Sequence, residues 1–224
     1  MAGVLSDAKL EALLTRLQAQ SEGQVEETNT YFRRRAEAGE LSWDGLDAES
    51  HRFMADKLVA LEPAKAAFCY LLCRALGARR VVEVGTSFGV STLYMAKALR
   101  DNGGGVVIGT EHEPEKARLA HAHFEEAGLA DLIELREGDL RETLKTLEGP
   151  IDFVLVDIWV EMARPALELV APHLRPGAVV CADNTISASR SYAAYFAFVN
   201  DPANGLVTHT LPFEGGFEMT VKVG

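Results

Sequence analysis

The side chains able to do chemistry in this 224-residue chain recur at matching places, with Glu83, Glu111, Asp139, Asp157, Asp183 and Asn184 each closing or following a short apolar run. Between Val81-Val82-Glu83-Val84 and the helical spacing of Val90 to Ala98 lies Gly85-Thr86-Ser87-Phe88-Gly89, a strand, tight turn and helix in succession. Such a turn lets a ligand approach the backbone where no Cβ intervenes, and it offers free N–H groups and the positive end of a helix dipole to an anion. It is not the dinucleotide fingerprint, which needs a third glycine. Glu83 would repel a pyrophosphate and hold an ammonium, so a ligand carrying both carboxylate and ammonium, an amino-acid moiety, fits the turn. A generic α/β turn with Glu83 paired to a nearby Lys or Arg fits these residues equally well. Glu111 stands 22 residues beyond Gly89, where an acid after such a turn can accept from both ribose hydroxyls of an adenosine. Together with Glu83, that reading is preferred to a surface acid.

These residues need elements to position them. Val106 to Thr110, Leu132 to Leu135, Ile151 to Val156 and Ala178 to Ala182 read as further strands, and Pro114 to Ala127 as a helix stopped by Gly128. A helix is also expected from Asp139 through Leu147. Strands alternating with helices predict a doubly wound, mostly parallel α/β sheet whose ligands bind at the carboxyl ends of the strands, where the six polar residues fall. Leu206 to Leu211 and Phe217 to Val223, joined by Pro212-Phe213-Glu214-Gly215-Gly216, predict a C-terminal antiparallel hairpin. Ahead of the sheet, Leu5, Leu10, Leu13, Leu14 and Leu17 mark one helix, Glu26 to Ala38 a second, and Pro63 to Leu76 a third presenting Ala67, Tyr70, Leu71 and Ala75 to a core. Arg33-Arg34-Arg35 reads as a solvated helix face. His121 and His123 lie two apart, on different helix faces, which disfavours a metal pair.

Composition narrows the class. With 22 Lys plus Arg against 33 Asp plus Glu, the net charge of −11 argues against nucleic acid or an anionic membrane as partner. No apolar run approaches the ~20 residues that span a bilayer, the first residues lack the features of a signal peptide, and Cys69, Cys73 and Cys181 read as reduced core thiols. A cytoplasmic location is expected.

From about Leu61 onward the chain resembles the class I S-adenosylmethionine-dependent methyltransferases, specifically the metal-dependent O-methyltransferases of the catechol and caffeoyl-CoA type. The resemblance is carried by EVGTSFGVST, the strand ending in Glu111, EGDLRETL, FVLVDIW, LRPGAVVCADN and LPFEGGFEMTVKV, in that order. It implies a Rossmann-like seven-stranded fold over residues 61–224, with residues 1–60 as a helical lid or oligomer contact and a homodimer expected. Glu83 and Ser91 would hold the methionine ammonium and carboxylate, the Gly85, Thr86, Ser87 and Gly89 turn would line the cofactor, and Glu111 would take the ribose. Leu140 beside Asp139 would face the adenine, and Leu61 would cover the methionine part. Asp157, also placed at the cofactor and at the chemistry, would join Asp183 and Asn184 in binding Mg²⁺ or another divalent cation. The bland alternative makes Asp157 a helix cap and Asp183-Asn184 a turn.

One departure stands out. The family's metal-binding aspartate is followed three residues on by a lysine taken as general base, whereas here Asp157-Ile158-Trp159 leads to Val160. Lys65, a histidine or bulk hydroxide would then take the proton, or the substrate differs from a catechol, or catalysis is lost. The leading expectation is an O-methyltransferase acting on a hydroxyl of a small molecule. A cofactor-binding module without activity and a nicotinamide-dependent oxidoreductase are the alternatives, the latter disfavoured by Glu83 and the missing glycine.

Overall fold

The computed structural model describes residues 3–40 and 47–224, which form one seven-stranded sheet with helices on both faces. In chain order the elements are α1 (Ala8–Gly23), α2 (Val25–Glu37), α3 (Ala48–Met54), α4 (Pro63–Ala75), β1 (Arg80–Val84), α5 (Val90–Asp101), β2 (Val106–Glu111), α6 (Pro114–Ala127), β3 (Ile133–Glu137), α7 (Leu140–Thr143), β4 (Ile151–Val156), α8 (Val160–Val170), β5 (Leu174–Asp183), α9 (Ala193–Val199), β6 (Leu206–Leu211) and β7 (Phe217–Lys222). The strand order is β3-β2-β1-β4-β5-β7-β6. The first five strands are parallel, and β7 runs antiparallel to β5 and β6. The expected doubly wound sheet with an appended hairpin is therefore present.

Alternation along the strands divides the core. Val81 faces the layer containing Cys69, Leu93 and Phe124, while Val82 and Val84 face the layer containing Leu144, Leu167 and Tyr195. Parallel strands with both faces covered are apolar on both sides, which is why β1 and β4 read as nearly unbroken runs of Val, Ile, Leu and Phe. Leu10, Leu13, Leu14 and Leu17 of α1 are buried in the same layer as Val81, so this helix shares the core of the sheet.

Three expectations are corrected, and one helix is added. Helix α4 buries Lys65, Ala66, Cys69, Tyr70 and Cys73, whereas Leu71 is 51% exposed and Ala75 is also exposed. Its inner face is thus rotated from the expected one and brings a lysine into the core. The run through Leu147 is α-helical only to Thr143 and continues as a 3₁₀ turn, Leu144–Thr146. Arg35 is not part of a solvated face: it is buried, with its guanidinium paired to Asp47 at 2.6 Å and Glu40 at 2.8 Å. Helix α3 gave no periodic signal, being seven residues long, and starts where the Asp47 carboxylate accepts from the Ser50 amide at 2.9 Å. Part of the 1–60 segment, residues 41–46, lies outside the described residues.

Gly89 shows what the central turn demands. Its φ is +86°, and a Cβ there would stand 2.4 Å from the Phe124 ring, so packing against α6 adds to the backbone requirement. Gly89→Ala should lower the unfolding free energy by roughly 1 to 3 kcal/mol. Urea denaturation checks this, and an unchanged midpoint would show that the turn shifts freely.

Candidate active site

The carboxyl ends of β1, β2, β4 and β5 converge on a cleft of about 590 Å³. Leu61, Gly85, Thr86, Ser87, Ser91, Glu111, Asp139, Leu140, Asp157 and Asn184 line it, together with His51, Lys116, Trp159, Val160 and Tyr192. Glu83, Gly89 and Asp183 do not form its wall. A second, more open groove of about 860 Å³ lies along α2 beside Tyr31, Arg35 and Phe53, away from the strand ends.

The turn after β1 is pinned from three sides. The amides of Gly85 and Thr86 donate to the Thr110 hydroxyl at 3.2 Å and the Thr110 carbonyl at 2.9 Å, and the Ser87 amide donates to Glu111 Oε2 at 2.7 Å. The Asp157 amide donates to the Val84 carbonyl at 3.0 Å, which extends the β1–β4 pairing by one step and fixes Asp157 beside the turn. A Cβ on Gly85, at φ +95°, would meet the Asp157 carbonyl oxygen at 2.1 Å. Two backbones in contact are thus enough to require glycine here.

Glu83 is fully buried, and its carboxylate accepts from Ser91 at 2.6 Å, from Thr86 at 2.9 Å and from Thr92. Burial pushes its carboxyl up to about 7, with Glu111 adding to the rise and the three hydroxyls opposing it. Ser91 and Thr86 connect it to the cleft wall. Glu111 is aimed by its own backbone: Oε1 accepts from the His112 amide at 2.7 Å and the Glu113 amide at 2.8 Å, opposite the Ser87 contact on Oε2. Two amides on Oε1 and one on Oε2 occupy three of the carboxylate's roughly four lone-pair sites, which leaves Oε2 a lone pair for a further donor. Asp139 caps α7 by accepting from the Arg141 amide at 2.9 Å, and the Arg141 guanidinium lowers it to about 2.

At the other end of the cleft Asp157 is pushed up to about 8, by burial first and then by Asp183 and Glu83, with Lys65 opposing. Asp183 Oδ1 accepts from the Lys65 ammonium at 2.6 Å, its Oδ2 accepts from the Asn184 amide at 3.2 Å, and its backbone carbonyl accepts from the Tyr192 hydroxyl at 2.7 Å. Asn184 has φ +61°, which turns its side chain back toward Asp183. With both acids ionised, the single ammonium leaves one negative charge uncompensated. Together with the Asn184 carbonyl oxygen, that donor set fits a hard divalent cation. Among the described residues no cluster of three or more His, Cys, Asp or Glu could hold a metal, as expected of a site whose third donor is an amide.

Lys65 was considered from sequence only as a base. In the structure it donates to both Asp183 and the Glu214 carbonyl and is 3% exposed. A lysine four residues ahead of Cys69 and eight ahead of Cys73, on the apolar face of one helix, was the signal for its burial. The His51 ring meets Trp159 edge-on at 6.2 Å, so α3 reaches the cleft mouth.

Residues 82–185 match the family model for a methyltransferase domain. A catechol O-methyltransferase of Mycobacterium tuberculosis is 35% identical over 129 residues, covering 57% of this chain and 58% of that protein, so the match spans little more than half the length of this curated relative. The structure is similar to the cofactor-bound Rv0187 protein of the same organism, with a TM-score of 0.68, 28% identity and coverage of 78% and 87% of the two chains. It is also similar to the O-methyltransferase TomG of Streptomyces achromogenes in complex with S-adenosylmethionine, with a TM-score of 0.68, 25% identity and coverage of 79% and 87%. The resemblance to class I S-adenosylmethionine-dependent methyltransferases is therefore borne out in both sequence and fold. Two of these relatives are named as O-methyltransferases, one of them of the catechol kind.

Two expected outcomes follow from the acids at the cofactor end. An ammonium favours the ionised form of Glu83, whose ionised fraction rises with pH through about 7, so S-adenosylhomocysteine should bind several-fold more tightly at pH 8 than at pH 6. Calorimetry at both values checks this, with Glu83→Gln abolishing the slope; equal affinities in the wild type would remove Glu83 from ammonium recognition. Glu111→Ala should weaken the same ligand at least about tenfold, since hydrogen bonds to a charged group are worth roughly 1.5 to 3 kcal/mol each. An unchanged dissociation constant would reject ribose recognition by Glu111.

Proposed function

We propose that this protein is an S-adenosylmethionine-dependent O-methyltransferase that methylates a hydroxyl of a small molecule carrying a neighbouring oxygen, as a catechol does. One observation carries the reading: a single cleft is walled at one end by amide-held Glu111 and by Thr86 and Ser91, which donate to the buried Glu83, and at the other by Asp157 and by Asn184, which donates to Asp183. Ser91, Glu83 and the turn from Gly85 would bind the methionine moiety, Glu111 the ribose, and Leu140 the adenine, with Leu61 covering the sulfur end. Asp157, Asp183 and Asn184 would hold Mg²⁺ or another divalent cation, which when bound would supply charge to acidify the acceptor hydroxyl.

The chain's own part is positioning and exclusion of water. Trp159 and Val160 at the start of α8 would bound the acceptor with apolar surface. The acceptor oxygen attacks the sulfonium methyl in line, the C–S bond breaks, and S-adenosylhomocysteine leaves. Val160 supplies no base, and the Lys65 ammonium is already donating to two acceptors, so the acceptor proton goes to water or hydroxide or to a cleft histidine such as His51. Turnover then rises with pH until the acceptor hydroxyl is fully ionised.

Turnover of a panel of catechols and other vicinal diols, assayed in EDTA and then with Mg²⁺ or Mn²⁺, tests the reading. Activity should appear only with metal, and Asp183→Asn should cut it by orders of magnitude while leaving S-adenosylhomocysteine affinity within a few-fold. Full activity in EDTA rejects the metal, and an inert panel with intact cofactor binding favours a non-catalytic binding module.

A further inference from the structure

The feature left over by the proposed chemistry is a lysine buried inside a carboxylate site. Lys65 leaves α4 one turn after Leu61, and its ammonium lies 2.6 Å from Asp183 Oδ1, 2.6 Å from the Glu214 carbonyl oxygen and 5.9 Å from the centre of the Phe217 ring. Among the described residues, Glu62, exposed and 3.9 Å away, is the further acid that pairs with it directly. The carbonyl of Gly215, next to Glu214, accepts from the amides of Ile186 at 2.9 Å and Ser187 at 3.0 Å, so the hairpin loop that Lys65 grips also holds the segment after Asn184. A Cβ on Gly215 would lie 3.1 Å from Asn184 Oδ1 and 3.9 Å from the ammonium, which shows how closely these groups are packed.

We propose that Lys65 is a resident counter-cation of the Asp157, Asp183 and Asn184 site that competes with the divalent cation and leaves Asp183 only the oxygen that Asn184 also binds. The inference rests on the divalent-cation reading above. With both acids ionised, as a bound cation requires, one fixed ammonium leaves the site a net charge of −1 where it would otherwise be −2, so an entering dication meets both a weaker field and a like charge within a few ångströms. The dication leaves the site positive, and an acceptor arriving as an oxyanion restores balance. Weak binding of the cation alone and tight binding alongside an anionic diol are the consequences of placing a lysine there. The ammonium also keeps Asp183 paired while the cation is absent, when a buried acid without a partner would destabilise the fold.

Full-length wild type, Lys65→Met and Lys65→Arg are to be titrated with Mn²⁺ by electron paramagnetic resonance in the presence of S-adenosylhomocysteine, without and with catechol. Methionine keeps the bulk of the lysine stem and removes the charge, whereas arginine keeps the charge. Lys65→Met should bind Mn²⁺ at least tenfold more tightly than wild type when catechol is absent, Lys65→Arg should stay within a few-fold of wild type, and catechol should tighten Mn²⁺ more in wild type than in Lys65→Met. Mn²⁺ should also raise the melting temperature of Lys65→Met more than that of wild type, because the cation then replaces the missing partner of Asp183. S-adenosylhomocysteine binding by each variant reports that the cleft is folded; should Lys65→Met fail that check, Lys65→Gln takes its place. Equal or weaker Mn²⁺ binding by the neutral variant, with wild type binding the ion, overturns the competition and leaves the cation reading standing. No Mn²⁺ binding by any variant, with S-adenosylhomocysteine still bound, rejects the cation reading and this inference with it.

Discussion

Carboxylate charge buried at the carboxyl ends of an apolar parallel sheet is the constraint on which the rest of this structure depends. Glu83 and Asp157 lie at the ends of the neighbouring strands β1 and β4, the first fully buried and the second half-buried in the cleft wall, and each is pushed far above the ordinary carboxylate range, to about 7 and about 8. An acid raised on folding contributes fully to stability below its unfolded value and loses that contribution as pH rises through its folded value. Near neutral pH the ligand-free fold therefore carries groups that stability alone would replace with apolar residues. Chains that violate their own core rules at one place generally do so at a functional site, and here the violation is a demand for positive charge. The sulfonium and ammonium of S-adenosylmethionine and a divalent cation are chemically matched to that demand.

Much of this was legible because parallel strands covered on both faces announce themselves as apolar runs, and a polar residue that ends such a run is conspicuous. The β1 turn, the acid after β2 and the pair of acids after β4 and β5 stood out in this way, as did the hairpin with its glycine loop. The glycines were legible as necessary but not for the right reason. Gly85 avoids the Asp157 carbonyl and Gly89 avoids Phe124, contacts between segments far apart in sequence that no local pattern encodes. The inner face of α4 was misjudged for a related reason. A lysine reads as solvent-facing until the acid that pairs with it is known, and that acid is 118 residues away. Helix α3 is too short for a period to emerge, and its reach to the cleft through His51 and Trp159 is a matter of tertiary packing alone.

The hairpin gains its meaning from direction. A parallel sixth strand would enter the sheet at the end remote from the ligand cleft, and the connection before it would lie there as well. Because β7 is antiparallel to β5, its first residue, Phe217, pairs with Asp183, and the loop from Pro212 to Gly216 falls beside the very acid that closes β5. Only from that position can the Glu214 carbonyl share the Lys65 ammonium with Asp183 and the Gly215 carbonyl hold the amides of Ile186 and Ser187. The reversal of one strand thus brings a fourth chain segment to a site otherwise assembled from β4, β5 and α4. It also ties the segment following Asn184 to a lysine on the helix that follows Leu61, so the two ends of the cleft share one rigid support.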